Sequence, residues 1–350
     1  MAYTNIDDPS KYFQIALWTG NATAGNSVTF DGNSDMQPDI IWSKRRDVGT
    51  HHVLKTTSIG GTSNNDNHLV PSLNTVESTY SNYRVDFDSD GFTLDGVGDT
   101  GFQGSGTSMV TWAWKLNGGT TSSNTDGYIT STVQANTTSG VSVVTFTTDG
   151  NTRTVGHGLG AAPKIVLIKR RNGSGNWTFF TTAVDGTHDY GILQGTNTFA
   201  ATSYDLPTSS VFSYNDTNND TFVAYCFAEK QGFSRFGSYT GNANADGTFV
   251  YTGFKPAFIM VKRTDDSGYH WRMYDIKRSA ADGFNPLDKR VNANLYEAEG
   301  THASDFDIDS LSNGFKLRTS SQINVAGTYF FMAFAEQPFM TSTGIPTTAR

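Results

Sequence analysis

Asp86-Phe87-Asp88-Ser89-Asp90-Gly91 places three carboxylates at alternate positions ahead of a glycine. That is the opening half of a loop that wraps a calcium ion in oxygen ligands. The second half is missing, because Val97 stands where a bidentate glutamate belongs and the matching stretch near the C-terminus carries Ser310, Ser312 and Asn313. An Asp-rich turn entering a strand is the expectation, and no metal or other cofactor is predicted. His51 and His52 are adjacent, so on a strand they point to opposite faces and cannot share one ion. His157 lies in Gly156-His157-Gly158-Leu159-Gly160, a turn lacking the lysine and the helix of a phosphate-binding loop. Cys226 is the single cysteine, which excludes an internal disulfide and suits a small buried thiol. Glu229 and Glu336 occupy matching places after two strands of similar sequence. Glycoside hydrolysis needs two carboxylates roughly 5–10 Å apart, and recurrence in successive modules suits structure better than one active centre. Trp18, Trp42, Trp112, Trp114, Trp177 and Trp271 could stack on sugar faces, yet most sit in strand patterns where core packing is the default. No catalytic residue is assigned.

The elements that position these residues are written three times. Pro38-Asp39-Ile40-Ile41-Trp42-Ser43-Lys44-Arg45-Arg46 aligns without a gap on Pro163-Lys164-Ile165-Val166-Leu167-Ile168-Lys169-Arg170-Arg171 and on Pro256-Ala257-Phe258-Ile259-Met260-Val261-Lys262-Arg263-Thr264. Upstream, Leu17-Trp18-Thr19 matches Thr145-Phe146-Thr147 and Ser238-Tyr239-Thr240; downstream, Gly91-Phe92 returns as Gly314-Phe315 and more loosely as Val211-Phe212. Each copy closes on a strand, in which Ala113, Cys226 and Ala333 coincide. Trp177 and Trp271 follow their prolines at nearly equal distance, which favours packing roles. The repeat is too long for a solenoid coil and suits tandem modules.

Thirty-six glycines and 13% aromatic residues point to short strands joined by turns, hence an all-β fold. The best helical candidate, Ala293 to Gly300, is short. Val85-Asp86-Phe87-Asp88 alternates, as a strand with one wet face does, whereas Ile165 to Ile168 and Phe258 to Val261 are apolar on both faces and need cover on both. Packed β-sandwich modules with long polar loops satisfy both patterns. The predicted layout is a polar lead-in 1–12 with a turn at Asp8-Pro9-Ser10, modules 13–116, 141–232 and 233–339, a connector 117–140 and a tail 340–350. The connector is rich in Gly, Ser, Thr and Asn, but Tyr128 to Val133 alternates and is expected to pair as a strand. Modules two and three abut without a linker and should stack rigidly. The doubly apolar strands also predict self-association or a firm docking site.

A net charge of −8 with scattered Lys and Arg disfavours nucleic acid. Each basic pair, such as Lys44-Arg45, is read as the point where a buried strand emerges into solvent. Met1 to Asp8 shows no basic-then-apolar signal pattern and no apolar run approaches a membrane span, so folding in a cytoplasm without membrane insertion is expected.

Several segments carry a family resemblance: Ile6-Asp7-Asp8-Pro9-Ser10, Asn124-Thr125-Asp126-Gly127, Gly156 to Gly160, Ala224 to Glu229, Asp309 to Phe315 and Pro346 to Arg350. Together they make the chain resemble virion-associated proteins of tailed bacteriophages, abundant in marine phages, with lectin-like, jelly-roll-like β-sandwich repeats. What the resemblance implies is a phage structural protein located in the virion, with other virion proteins as partners and no catalytic residue to carry over. The expected role is a tail-fibre or receptor-binding surface component contacting host-surface glycan. The alternatives are a capsid decoration protein held by its lead-in or tail and, further off, a glycan depolymerase. Specificity is expected in the loops between each basic pair and its closing strand.

Overall fold

The computed structural model describes residues 2–60, 65–81, 83–96, 102–217, 219–279, 286–301 and 308–347. Regular structure there is antiparallel strand almost throughout, with one 3-10 turn, Pro9–Lys11, where Asp8-Pro9-Ser10 predicts it. The Asp8 side chain caps that turn by accepting from the Ser10 N–H.

Each module builds the same four-stranded inner sheet, in the order opening, closing, proline and return strand. In module one these are Phe13–Thr19, Ser108–Trp114, Ile40–Arg45 and Val53–Thr56. In module two they are Val141–Thr147, Thr221–Phe227, Ile165–Arg170 and Trp177–Thr181, and in module three Ser234–Gly241, Gly327–Pro338, Phe254–Arg263 and Arg272–Asp275. The registers coincide: Ile40, Ile165 and Phe258 lie opposite Trp114, Phe227 and Phe334. Ala113, Cys226 and Ala333 therefore occupy one position, as the alignment predicts. Outer strands repeat as well, with Val28, Val155 and Val250 opposite Phe92, Phe212 and Phe315. Glycine is required at Gly91, where φ is +101° and a Cβ would stand 1.9 Å from the Val28 carbonyl oxygen. At Gly314 a Cβ would meet the Val250 carbonyl at 2.1 Å, so the shared Gly-Phe word records one close approach of backbone to backbone.

The two apolar faces of each proline strand enter different cores. Ile41, Val166 with Ile168, and Ile259 with Val261 point into three separate sandwich cores. Ile40 with Trp42, Ile165 with Leu167, and Phe258 with Met260 point instead into one core shared by all three modules. On its axis the equivalent aromatics Trp114, Phe227 and Phe334 meet pairwise, with centroids 6.4, 6.1 and 5.6 Å apart. The modules thus form a closed ring, an arrangement that the abutment of modules two and three does not by itself specify. A linear stack would leave the terminal modules with one inner face bare, and closing the ring covers all three. The cover that the doubly apolar strands demand is supplied within the chain.

Other expectations need correction. Ala293 to Gly300 is not helical; it is an irregular segment reaching the strand Gly300–Thr301, because Trp271 and Arg46 draw the Ala293 and Glu299 N–H groups to their own carbonyls. The connector does pair as a strand, as expected: Ser122–Asn124 and Ser131–Asn136 extend the inner sheet of module two beyond its opening strand. That strand begins three residues later than the predicted Tyr128, since Ile129 makes an isolated bridge to Val155 of the outer sheet. Nor do the basic pairs emerge together. Lys44, Lys169 and Lys262 are buried to 1% exposure or less while their arginines are half-buried. Lysine is long enough to lie along the apolar core and still deliver its ammonium to a main-chain carbonyl: Arg45 at 2.7 Å, Gly175 at 2.6 Å and Arg263 at 2.5 Å.

Burial pushes all three ammonium groups down to about 8. Their native pKa lies below the unfolded value near 10.4, so between about 8 and 10 the unfolded chain holds more protons and stability rises with pH. Above about 10 the trend reverses, because unfolded tyrosines ionise while burial holds Tyr239 and Tyr225 protonated. The urea midpoint is expected to increase from pH 8 to 9.5 in wild type, and Lys169→Met should reduce the slope.

Candidate functional site

Adjacent modules are clamped at one end of the ring and leave a groove at the other. The clamp repeats with the ring. Trp177 of module two donates its indole N–H to the Val70 carbonyl of module one at 2.9 Å, and Trp271 of module three to the Ile192 carbonyl of module two at 3.0 Å. The counterpart in module one is His52, fourteen residues after Pro38 as Trp177 is after Pro163. Its Nε2 lies 2.9 Å from the Asn292 carbonyl of module three. Trp42 Nε1 donates to His52 Nδ1 at 2.9 Å, so His52 is the neutral Nε2–H tautomer and burial holds its pKa well below the usual value. Beside each clamp a main-chain bond crosses the seam, from Glu77 to Arg171, Phe199 to Thr264 and Glu299 to Arg46. Two of the three add a two-pronged ion pair, Arg171–Glu77 and Arg46–Glu299, with shortest distances of 2.6 and 2.9 Å. Glu77 and Glu299 are thus equivalents, a match the sequence hides because Phe199 takes the third place.

The groove lies between the opening strand of one module and the start of the proline strand of its neighbour. Identical main-chain bonds, Thr57 to Asp39, Thr182 to Lys164 and Ile276 to Ala257, mark the neighbour's wall in each case. Between modules one and two the connector fills it. Gln134, fully buried, donates to Asp39 at 2.6 Å and accepts from Thr57 at 2.8 Å. Asp39 also accepts the N–H groups of Leu116, Gly118 and Gly119, so its buried charge is fully bonded.

The other two grooves are open. The larger, between modules two and three, encloses about 510 Å³. Its walls carry Lys164, Glu229, Arg235 and Ser238 beside Phe249 and Tyr251, which are 44% and 55% exposed. Glu229 accepts the Phe236 N–H at 2.7 Å and faces Arg235 at 3.5 Å. The smaller, between modules three and one, encloses about 280 Å³. It is lined by Gln14, Ala257, Ile276 and Glu336, with an exposed Lys277–Asp31 pair at 2.7 Å. Here Glu336 pairs with Lys255 at 2.5 Å. Glu229 and Glu336 are therefore equivalent, as their positions predict, but line different grooves.

The remaining sequence candidates disperse. Asp86 pairs with Arg84 at 2.6 Å, Asp88 accepts from Thr93 at 2.7 Å, and Asp90 accepts the Met36 N–H at 3.2 Å. Val97 lies outside the described residues. Among the described residues no group of three or more His, Cys, Asp or Glu is placed to hold a metal. His51 is exposed beside Ser72 and His52 is buried, on opposite faces as expected. His157 is buried in its turn, with Nδ1 accepting the Leu159 N–H at 3.2 Å. Cys226 is buried and its thiol is pushed up to about 12 by desolvation. Trp42, Trp112, Trp114, Trp177 and Trp271 are core residues, and Trp18 is half-buried with its N–H on Thr111 at 2.9 Å. Of the loops expected to carry specificity, only Thr182 to Gly186 lines the larger groove. Phe249 and Tyr251 were missed, although Phe249-Val250-Tyr251 alternates with an aromatic on each wet position.

No helix among the described residues is long and apolar enough to cross a membrane. One family model, described as a domain of unknown function (DUF7483), matches residues 8–338. No curated protein and no solved structure matches the chain.

Proposed function

We propose, starting from a chain that belongs to the DUF7483 family, that it is a non-enzymatic contact protein of a phage particle. In this reading it is a tail-fibre or receptor-binding component whose groove between modules two and three receives a host-surface glycan. The virion assignment rests on the sequence resemblance. The glycan assignment rests on one observation: Phe249 and Tyr251, both half-exposed, flank a groove that also offers Arg235, Lys164 and Ser238. Apolar sugar faces stack on aromatic rings, and hydroxyls take the charged and hydroxyl groups around them. A rigid ring is a suitable frame, because a groove held from both sides loses little freedom on binding.

The rival role, a head-decoration protein held by its lead-in or tail, has less support. Tyr3 donates to the Gly253 carbonyl at 2.7 Å, and Asp7 accepts from the Ser342 N–H and hydroxyl at 2.6 Å, so both proposed anchors are engaged with module three and each other.

Purified protein is expected to retain surface polysaccharide of its host on a glycan array, and Tyr251→Ala should weaken that binding about thirtyfold, the effect of a central aromatic contact. Equal retention by Tyr251→Ala, or none by wild type, would remove the glycan reading. Counting copies per particle tests the location, with a handful expected for a fibre and hundreds for head decoration.

A further inference from the structure

The three opening strands have one edge bonded to the closing strand, and the other edge differs between modules. In module two the connector strand Ser131–Asn136 pairs with it antiparallel, Gln134 opposite Val143. In module one the bonds from Lys115 to Tyr12 and from Gly20 to Thr107 show that even-numbered residues face the closing strand. Phe13, Ile15 and Leu17 therefore turn their N–H and C=O groups outward, and these meet no backbone partner among the described residues. Module three is intermediate, because Glu229 already occupies the Phe236 N–H, the equivalent of Ile15. In module one the matching Glu336 turns to Lys255 and leaves the edge free.

We propose that the opening strand of module one is a strand-addition site for an extended segment of a partner protein, which inserts one apolar side chain between modules three and one. The partner's chemistry follows from the occupied copy. Gln134 enters the seam opposite Val143 and bonds Asp39 and Thr57. In the free copy Ala257 and Ile276 take the places of Asp39 and Thr57, so an amide there loses both of those partners and an aliphatic residue fits. Main-chain bonds to Ile15 and Leu17 supply affinity, and that one side chain supplies selectivity. A second copy of this chain pairing edge to edge cannot provide it. Its residues on the same edge include Phe13 and Ile15, both 4% exposed or less and committed to their own core. The site is independent of the glycan groove.

The probes are two synthetic peptides spanning residues 129–138 of this chain, one native and one with Gln134→Leu, titrated against the full-length protein by fluorescence anisotropy. The Gln134→Leu peptide should bind at least about tenfold more tightly, since the amide of the native one lacks the Asp39 and Thr57 partners it has in its own seam. In protein carrying Ala257→Asp with Ile276→Thr, which restores the Asp39 and Thr57 pair, the preference should reverse. Leu17→Pro removes one outward N–H from an edge strand without touching the inner ladder and should weaken both peptides. It also provides a test if the double variant fails to fold. Binding of neither peptide at millimolar concentration would overturn the proposal, as would equal binding by Leu17→Pro. So would a wild-type dimer that Leu17→Pro dissociates, which assigns the edge to a second copy.

Discussion

Replacing Phe334 with alanine is expected to destabilise the entire chain by about 3–5 kcal/mol, the range for removing a large aromatic from a packed core. Phe334 sits on the ring axis and touches every module: Phe13 at 5.1 Å and Trp114 at 5.6 Å in module one, Phe227 at 6.1 Å in module two, and Phe258 at 6.4 Å in its own. Neighbours on three sides are held by their own strands, so they cannot collapse into the space. Equilibrium unfolding in urea should show a lower midpoint with an unchanged slope. Tyr251→Ala, at the exposed wall of the groove, is the control and should stay within about 0.5 kcal/mol of wild type.

A loss of similar size is expected for Asp275→Ala, through charge rather than volume. The Asp275 and Arg278 side chains are both wholly buried, with Arg278 Nε 2.6 Å from Asp275 Oδ2. The same carboxylate oxygen accepts from Trp112 Nε1 at 2.9 Å, tying module three to module one, and Arg278 continues to Glu299 at 3.4 Å. Removing the carboxylate leaves the buried guanidinium with only the longer Glu299 contact as counter-charge among the described residues and costs about 3–5 kcal/mol. Removing both charges does not strand one. The double variant Asp275→Ala with Arg278→Met should therefore be clearly more stable than Asp275→Ala alone when both are melted by circular dichroism. If the double variant is the sum of the singles, the two groups are not coupled as their geometry requires.

The module was legible in the sequence because its signals are local. Proline position, strand alternation and the Gly-Phe word each depend on a few neighbouring residues, and the strand registers reproduce the alignment residue by residue. The ring was not legible. Both-face apolarity at Ile165 to Ile168 says that a second layer exists but not which module provides it. His52 illustrates a signal that was present and unread. Counting from Pro38 places it with Trp177 and Trp271, but a histidine does not look like a tryptophan until one sees that each donates a ring N–H to the next module. The buried lysines were misread because charge suggests solvent, whereas the length of the stem decides where the ammonium goes. The grooves escaped because they are defined by what is missing: a connector strand carrying Gln134 fills one seam, and nothing in the aligned segments shows that the other two seams lack such a strand.

Hydrogen exchange on Phe334→Ala tests the closed ring most directly. If the three modules share one core, protection should fall together in Ser108–Trp114, Thr221–Phe227 and Gly327–Pro338, since one substitution on the axis loosens a single cooperative unit. Loss confined to Gly327–Pro338, with the closing strands of modules one and two protected as in wild type, would contradict it.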